Sequence, residues 1–175
     1  TNTDNLLPAL QELLEAGCDS IVPVKAGDHL ASQALDHLTG LLDDNVAWGY
    51  ADCDRDGPHG EREYPWLKPV WDLDLFIGAD IFTPGAIFSV EIIQAALSLL
   101  APGNDLQSLN WDFFVAGIAL ATEKLQATVV HLPQVVYHRD YRAPASPEHA
   151  WPSMDRHQAV AWLCQSLVPG TTVRA

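Results

Sequence analysis

Positive charge is scarce in this chain. Nine Lys and Arg stand against 23 Asp and Glu among 175 residues, a formal net charge of −14 at pH 7. That balance argues against nucleic acid as a partner and against charge-driven attachment to an anionic membrane surface. It would also repel a nucleotide-sugar diphosphate unless a cation or a local basic group offset it. Cysteine is scarce too: Cys18, Cys53 and Cys164 are an odd number, widely spaced, with no CxxC. Free thiols in a reducing cytosol fit this usage, and no zinc-site spacing is present. No uninterrupted apolar run reaches the roughly 18 residues a membrane helix needs. The start, Thr1-Asn2-Thr3-Asp4, has neither an initiator Met nor a basic segment followed by an apolar one, so it reads as a cut from a longer protein or a processed end. There is no glycine-rich phosphate loop. There is no G-x-S-x-G either, which leaves a Ser89, His138 and aspartate triad without its nucleophile motif and weakens a hydrolase reading on Asp52, Asp54 and Asp56.

What is present is globular. Apolar residues make up 48% and charged residues 18%, and the length suits one domain with a real core. Asn5 is placed to cap a helix whose Leu6, Leu7, Leu10, Leu13 and Leu14 share a face up to Gly17. Residues 19–24 read as a buried strand and residues 31–42 as an amphipathic helix with Leu35 and Leu38 inward. Residues 46–51 form a second strand and residues 55–75 a long ordered loop, with a short strand expected over 76–82. Ser89 is placed to cap a helix that runs to Leu100 and stops at Pro102-Gly103, and residues 111–124 form another. Two short strands flank Pro133, at 128–132 and 134–137. Residues 142–152 are a Pro-rich linker, and Ser153 caps a last helix to about Leu167. The pattern is α/β.

The chemistry concentrates in Tyr50-Ala51-Asp52-Cys53-Asp54-Arg55-Asp56-Gly57, followed by Tyr64-Pro65-Trp66-Leu67-Lys68-Pro69-Val70-Trp71. A strand that ends in Asp52 and Asp54 delivers carboxylates to the C-terminal end of a sheet, where ligands sit in open α/β folds. Carboxylates there suit a divalent cation or sugar hydroxyls. They suit a solvated turn as well, since Asp is favoured in turns. Lys68 is the one lysine in the loop and the one cation placed for a diphosphate or an acidic acceptor, unless it is a surface lysine with a buried stem. Trp66 and Trp71 read as packing before they read as a sugar platform. Cys53 lies between two carboxylates, which raises a thiol pKa and argues against a catalytic thiolate. His138, after Tyr137, is the best single metal-ligand candidate. His131 reads as structural, and His29, His37, His59, His149 and His157 as surface residues.

Tyr50–Asp54, Lys68-Pro69 with Trp71, and His131-Leu132-Pro133-Gln134-Val135-Val136-Tyr137-His138 together resemble the motifs of family 2 glycosyltransferases of bacterial surface-polysaccharide and O-antigen synthesis. The resemblance runs from about Asn5 to Arg139. It implies a three-layer GT-A fold, represented by its second half, with the N-terminal nucleotide-binding units missing. It divides the chain into a partial glycosyltransferase domain at 1–142 and a linker with a C-terminal helix at 143–175. It implies transfer of a sugar from a nucleotide-sugar donor to a glycan acceptor in the cytoplasm, associated with the inner membrane through partners, and pairing with another glycosyltransferase domain of the same parent chain. The cofactor would be Mg²⁺ or Mn²⁺, with His138 and Asp54 as ligands. Asp28, Asp52, Asp54 and Lys68 fall on the donor or phosphate side, and Asp112 is the carboxylate near the family's general base.

The sequence departs from the family at three places, one of them the helix near Val115-Ala116, where a basic residue the family often carries has no counterpart. The turn that usually holds the cation reads Lys25-Ala26-Gly27-Asp28, leaving one carboxylate where a hard dication needs several oxygens. The acidic pair that usually supplies the base reads Leu109-Asn110, and an amide cannot take a proton from a hydroxyl at neutral pH. These departures keep a second class open: a catalytically inactive module with this fold, used for glycan binding or protein pairing.

Overall fold

The structure, a computed structural model, describes residues 6–43, 45–101, 109–144 and 154–170. It is mixed α/β, with a six-stranded mixed sheet curled into a half-barrel and six helices among the described residues. The chain divides into two compact units. One comprises Thr1–Asp19, Val90–Ala127 and Pro152–Ala175, and the other Ser20–Ser89 and Thr128–Trp151.

The first unit is helical: α1 (Leu7–Glu15), α4 (Val90–Leu100), α5 (Trp111–Leu125) and α6 (Met154–Leu167). Helix α1 forms where the leucine periodicity places it and ends before Gly17, whose φ of +74° suits glycine. Its N-cap is Leu6, which offers no side-chain cap, and Asn5 lies outside the described residues. Helix α5 is the best specified. Asn110 Oδ1 accepts the Phe113 N–H at 3.0 Å, and Gln126, at φ +51°, closes the other end. Residues 114–122 of α5 are all buried, so this helix is apolar nearly all round. It packs against α4 and α6, and a Cβ at Gly117 would stand 2.6 Å from Leu100 Cδ1 of α4. Pro102-Gly103, Ser153 and most of the expected linker lie outside the described residues.

The second unit holds the sheet: β1 (Ser20–Ile21), β2 (His29–Leu30), β3 (Val46–Asp56), β4 (Arg62–Trp66), β5 (Ala86–Ser89) and β6 (Thr128–Arg139), with α2 (Ala34–Thr39) and α3 (Leu73–Gly78). The strand order is β1-β5-β3-β6-β2. Strands β3 and β6 run parallel along nearly their whole length, and every other pairing is antiparallel. With β6 along one edge, β3 uses its other edge twice: residues 48–50 pair with β5 and residues 53–56 with β4. Residues 48–54 of β3 are all buried, as expected of a strand covered on both faces. Ala34, Leu38, Ala51, Ile87 and Val136 form one apolar cluster beneath the sheet.

Several expectations are corrected here. The strand over 19–24 shrinks to Ser20–Ile21, and the helix over 31–42 to Ala34–Thr39, with Leu35 55% exposed rather than inward. The loop over 55–75 contains β4, which pairs with β3 despite Pro65, and the start of α3. The strand over 76–82 does not exist: Asp72 accepts the Leu75 N–H and caps α3 through the first of those residues, and the strand comes later, at Ala86–Ser89. The two strands around Pro133 are one. The register jumps from Ala51↔Leu132 to Asp52↔Val135, so an irregularity absorbs the proline without ending β6.

Candidate functional site

The site grows from the C-terminal half of β3 and the matching end of β6. Parallel register sets Tyr50 beside His131 and Asp54 beside His138, joining motifs far apart in the chain. Asp52, 3% exposed, is surrounded by donors: its Oδ1 accepts the Lys68 backbone N–H at 2.8 Å and lies 2.8 Å from His131 Nε2. A carboxylate only accepts, so His131 carries its hydrogen on Nε2. The His131 ring stacks on Tyr50 at 5.0 Å and 16°, and the Tyr50 hydroxyl donates to Pro69 O at 2.6 Å. The acidic strand end, the Lys68-Pro69 loop and the histidine strand are thereby tied into one cluster.

Asp54 is held in the same way. Its Oδ1 lies 2.6 Å from His138 Nδ1, and its backbone carbonyl accepts Arg139 Nε at 3.2 Å. The His138 ring sits 5.0 Å from His29, its register partner on β2. Arg62 ion-pairs with Asp56, which in turn lies 3.5 Å from His29 Nδ1. Asp28 sits in the turn between β1 and β2, with both oxygens engaged. Oδ2 accepts the Tyr137 hydroxyl at 2.7 Å and Oδ1 the Asp140 N–H at 2.8 Å. Gly27 has φ +97°, and a Cβ there would stand 2.8 Å from the Asp140 carboxylate, so the turn needs glycine.

Lys68 is buried, with its ammonium turned into the fold. Nζ donates to the carbonyls of Phe82, at 3.3 Å, and Pro84. Burial lowers its pKa to about 8, against the pull of nearby Cys53, Asp80 and Asp52. Trp71, half-buried, packs on the core residues Trp48, Phe76 and Phe82, while Trp66 lies 3.6 Å from the Arg139 guanidinium. Burial raises the Cys53 thiol pKa, with a smaller push from Asp54, while Lys68 and Arg139 pull the other way. Asp112 lies in the helical unit, on the first turn of α5, whereas Asp28, Asp52, Asp54, Lys68 and His138 all belong to the sheet unit.

A hard dication takes several oxygen ligands at once. Among the described residues no group of three or more His, Cys, Asp and Glu stands so as to hold a metal ion. The carboxylates that the sequence offers for Mg²⁺ or Mn²⁺ are taken up by a tyrosine hydroxyl, histidines and backbone N–H groups. The residues present do not fit such an ion. Compared with known proteins, the sequence matches no family model and no curated protein.

Sequence reasoning missed His131 as the partner of Asp52, Tyr137 as the partner of Asp28, and Arg55 and Arg139 altogether. A signal existed for Arg139, which directly follows His138 in the same strand motif. For Arg55 there was none, because an arginine at a strand end normally points into water. No helix among the described residues is long and apolar enough to cross a membrane.

Proposed function

We propose that this chain is a glycosyltransferase-type domain of the family 2, GT-A kind, whose parent protein transfers a sugar from a nucleotide-sugar donor to a glycan hydroxyl in bacterial cell-surface polysaccharide synthesis. One observation carries the reading. The three sequence stretches that resemble that family meet at one end of the β3–β6 pair, linked through Asp52, Lys68, His131 and His138. A ligand site assembled from distant motifs at the carboxyl end of parallel strands is the usual arrangement in open α/β sheets. In this reading Asp28, Asp52, Asp54, Lys68 and His138 belong to the donor side and Asp112 is assigned the acceptance of the hydroxyl proton.

A second reading has its own support. Asp28, Asp52 and Asp54 are hydrogen-bonded within the protein, and Asn110, where the base is expected, spends its side-chain oxygen capping α5. This favours an inactive module of the same fold, retained for glycan binding or for pairing with an active domain of the parent chain.

The two readings separate in one pair of assays. The chain is incubated with a panel of nucleotide sugars, with and without Mn²⁺, and nucleoside diphosphate release is followed. The same donors and a panel of oligosaccharides are titrated calorimetrically. Turnover that disappears in Asp112→Ala supports the first reading, and glycan or donor binding without turnover supports the second. A folded chain that neither turns over nor binds any of these ligands sinks the glycosyltransferase assignment.

A further inference from the structure

Two arginines at the end of the β3–β6 pair carry hydrogen-bond donors that the fold does not use. Arg139 is 4% exposed. Its Nε donates to Asp54 O at 3.2 Å and its Nη1 to Pro144 O at 2.7 Å, while its Nη2 is buried without an acceptor. Arg55 is its register partner on the parallel strand. Arg55 Nη1 donates to Ala143 O at 3.0 Å and Nη2 to Glu63 Oε2 at 2.8 Å, and its Nε is likewise buried without an acceptor. A buried donor left unpaired forfeits about 1–3 kcal/mol, and more when it is charged. Here two such donors, on like-charged side chains, are set in register on neighbouring strands.

The shortage is one of negative charge. Among the described residues Glu63 is the only carboxylate that ion-pairs with either guanidinium. The remaining acceptors are backbone carbonyls and, for Arg139, the Cys53 side chain, while Asp54 on β3 is committed to His138. Burial pushes the Arg139 guanidinium below its usual pKa against the pull of Cys53 and Asp28, and the charge of Arg55 adds a smaller push in the same direction as burial. The Arg139 Cζ stands 3.6 Å from the centre of the Trp66 ring, a cation–π contact that helps hold the guanidinium in place.

We propose that Arg55 and Arg139 form a binding site for an oxyanion, the phosphate or carboxylate group of a ligand, and that the backbone carbonyls of Ala143 and Pro144 hold its place until it binds. A guanidinium fork matches phosphate and carboxylate oxygens two at a time, and such charge-assisted bonds are about twice as strong as bonds to neutral carbonyls. An oxyanion that displaced the two carbonyls would therefore be favoured, and it would supply acceptors for the unused Nη2 and Nε donors. The displaced piece is short. Residues 140–144 form a turn closed by the Ala143 N–H on Asp140 O at 2.8 Å and by Arg142 on the Asp140 carboxylate. Moving that turn from the arginines leaves β6 paired but gives up the Asp140 N–H bond to Asp28 Oδ1. Nothing in this site depends on the glycosyltransferase reading.

The test titrates the full chain calorimetrically with sodium pyrophosphate and, separately, with glucuronate. Saturable binding of at least one is expected, weakened about tenfold or more in Arg55→Gln and Arg139→Gln. Pyrophosphate alone would mark a phosphate ligand, and glucuronate alone an acidic sugar. Glu63→Gln, which frees Arg55 of its one carboxylate, is expected to tighten binding. Amide exchange at Asp140, Arg142 and Ala143 should quicken when the site fills. If Arg139→Gln fails to fold, Arg55→Gln and Glu63→Gln decide, because Arg55 and Glu63 are less buried. Absence of binding where a site of about 1 mM would be saturated overturns the proposal. So does binding that a folded Arg55→Gln leaves unchanged, or binding that leaves exchange at residues 140–143 as it was.

Discussion

Asp52 Oδ1 and the backbone N–H of Lys68 are joined at 2.8 Å, and this bond fastens the loop after β4 to the acidic end of β3. The carboxylate involved is 3% exposed and also lies 2.8 Å from His131 Nε2. Asp52 therefore organises the site from inside, and a solvated turn is not what this residue makes.

Asp52→Ala strands a buried backbone donor and a part-buried imidazole N–H together. We expect it to destabilise the fold by about 2–4 kcal/mol, at the cost of each unsatisfied group. Asp52→Asn, which keeps one acceptor, should lose less. Urea denaturation of the two variants measures the difference, and an Asp52→Ala protein as stable as the parent would contradict the bonding described.

Lys68 predicts a pH dependence. Its folded pKa is about 8, below the ordinary 10.5, because burial disfavours the ammonium. Between those values the unfolded chain binds more protons than the folded one, so stability rises with pH across that window. The destabilising contribution is fully present below about pH 8 and is relieved above it, by up to about 3 kcal/mol for the whole shift. Burial raises the Tyr50 and Tyr137 pKa values, so these hydroxyls act in the opposite direction near pH 10 and above, where an unfolded tyrosine would ionise. The raised Cys53 thiol pKa opposes the rise in the same way from about pH 8.5, where an unfolded thiol ionises, so the lysine's share is the difference between the parent and a variant lacking it over about pH 8 to 9.5. Lys68→Met should flatten the rise there, and chemical denaturation at several pH values reports it.

Asn110 is expected to act as a cap. Asn110→Ala removes the acceptor of the Phe113 N–H and should cost about 1 kcal/mol. Asn110→Asp keeps the acceptor and adds negative charge at the start of α5, a gain of about 0.3–1 kcal/mol at low salt. Asp112 already occupies that first turn, so the lower end of the range is expected. The same Asn110→Asp protein, assayed for nucleoside diphosphate release, shows whether a carboxylate at this position also restores chemistry.

Gly85 precedes β5 with φ +78°, and a Cβ there would stand 2.9 Å from Tyr137 Cβ. Gly85→Ala meets both a left-handed backbone and a collision with a strand it cannot push aside. A loss of about 2–4 kcal/mol follows from the sum of those effects. Tyr137 also holds Asp28, so the variant should loosen the turn at Gly27 as well, visible as faster amide exchange at Asp28, whose N–H is bonded to Lys25 O.

What the sequence by itself determined are the elements whose signals are local. The leucine period and Gly17 bound α1, Asn110 starts α5, and the buried run from Trp48 sets β3. The acidic strand end and the histidine strand were visible as motifs. The tertiary structure alone decided the partners. Strand β4, with its polar residues and Pro65, is a strand only because the second half of the β3 edge is there to pair with it. Leu35 lies outside because α2 is too short to turn a second apolar row inward. Asp28, Asp52 and Asp54 read as open ligands because a residue's composition says nothing of what will satisfy it. Tyr137, His131 and His138 reach them only once β6 lies parallel to β3 and in register. Hydrogen bonds between distant residues depend on strand register, and register is a property of the assembled sheet.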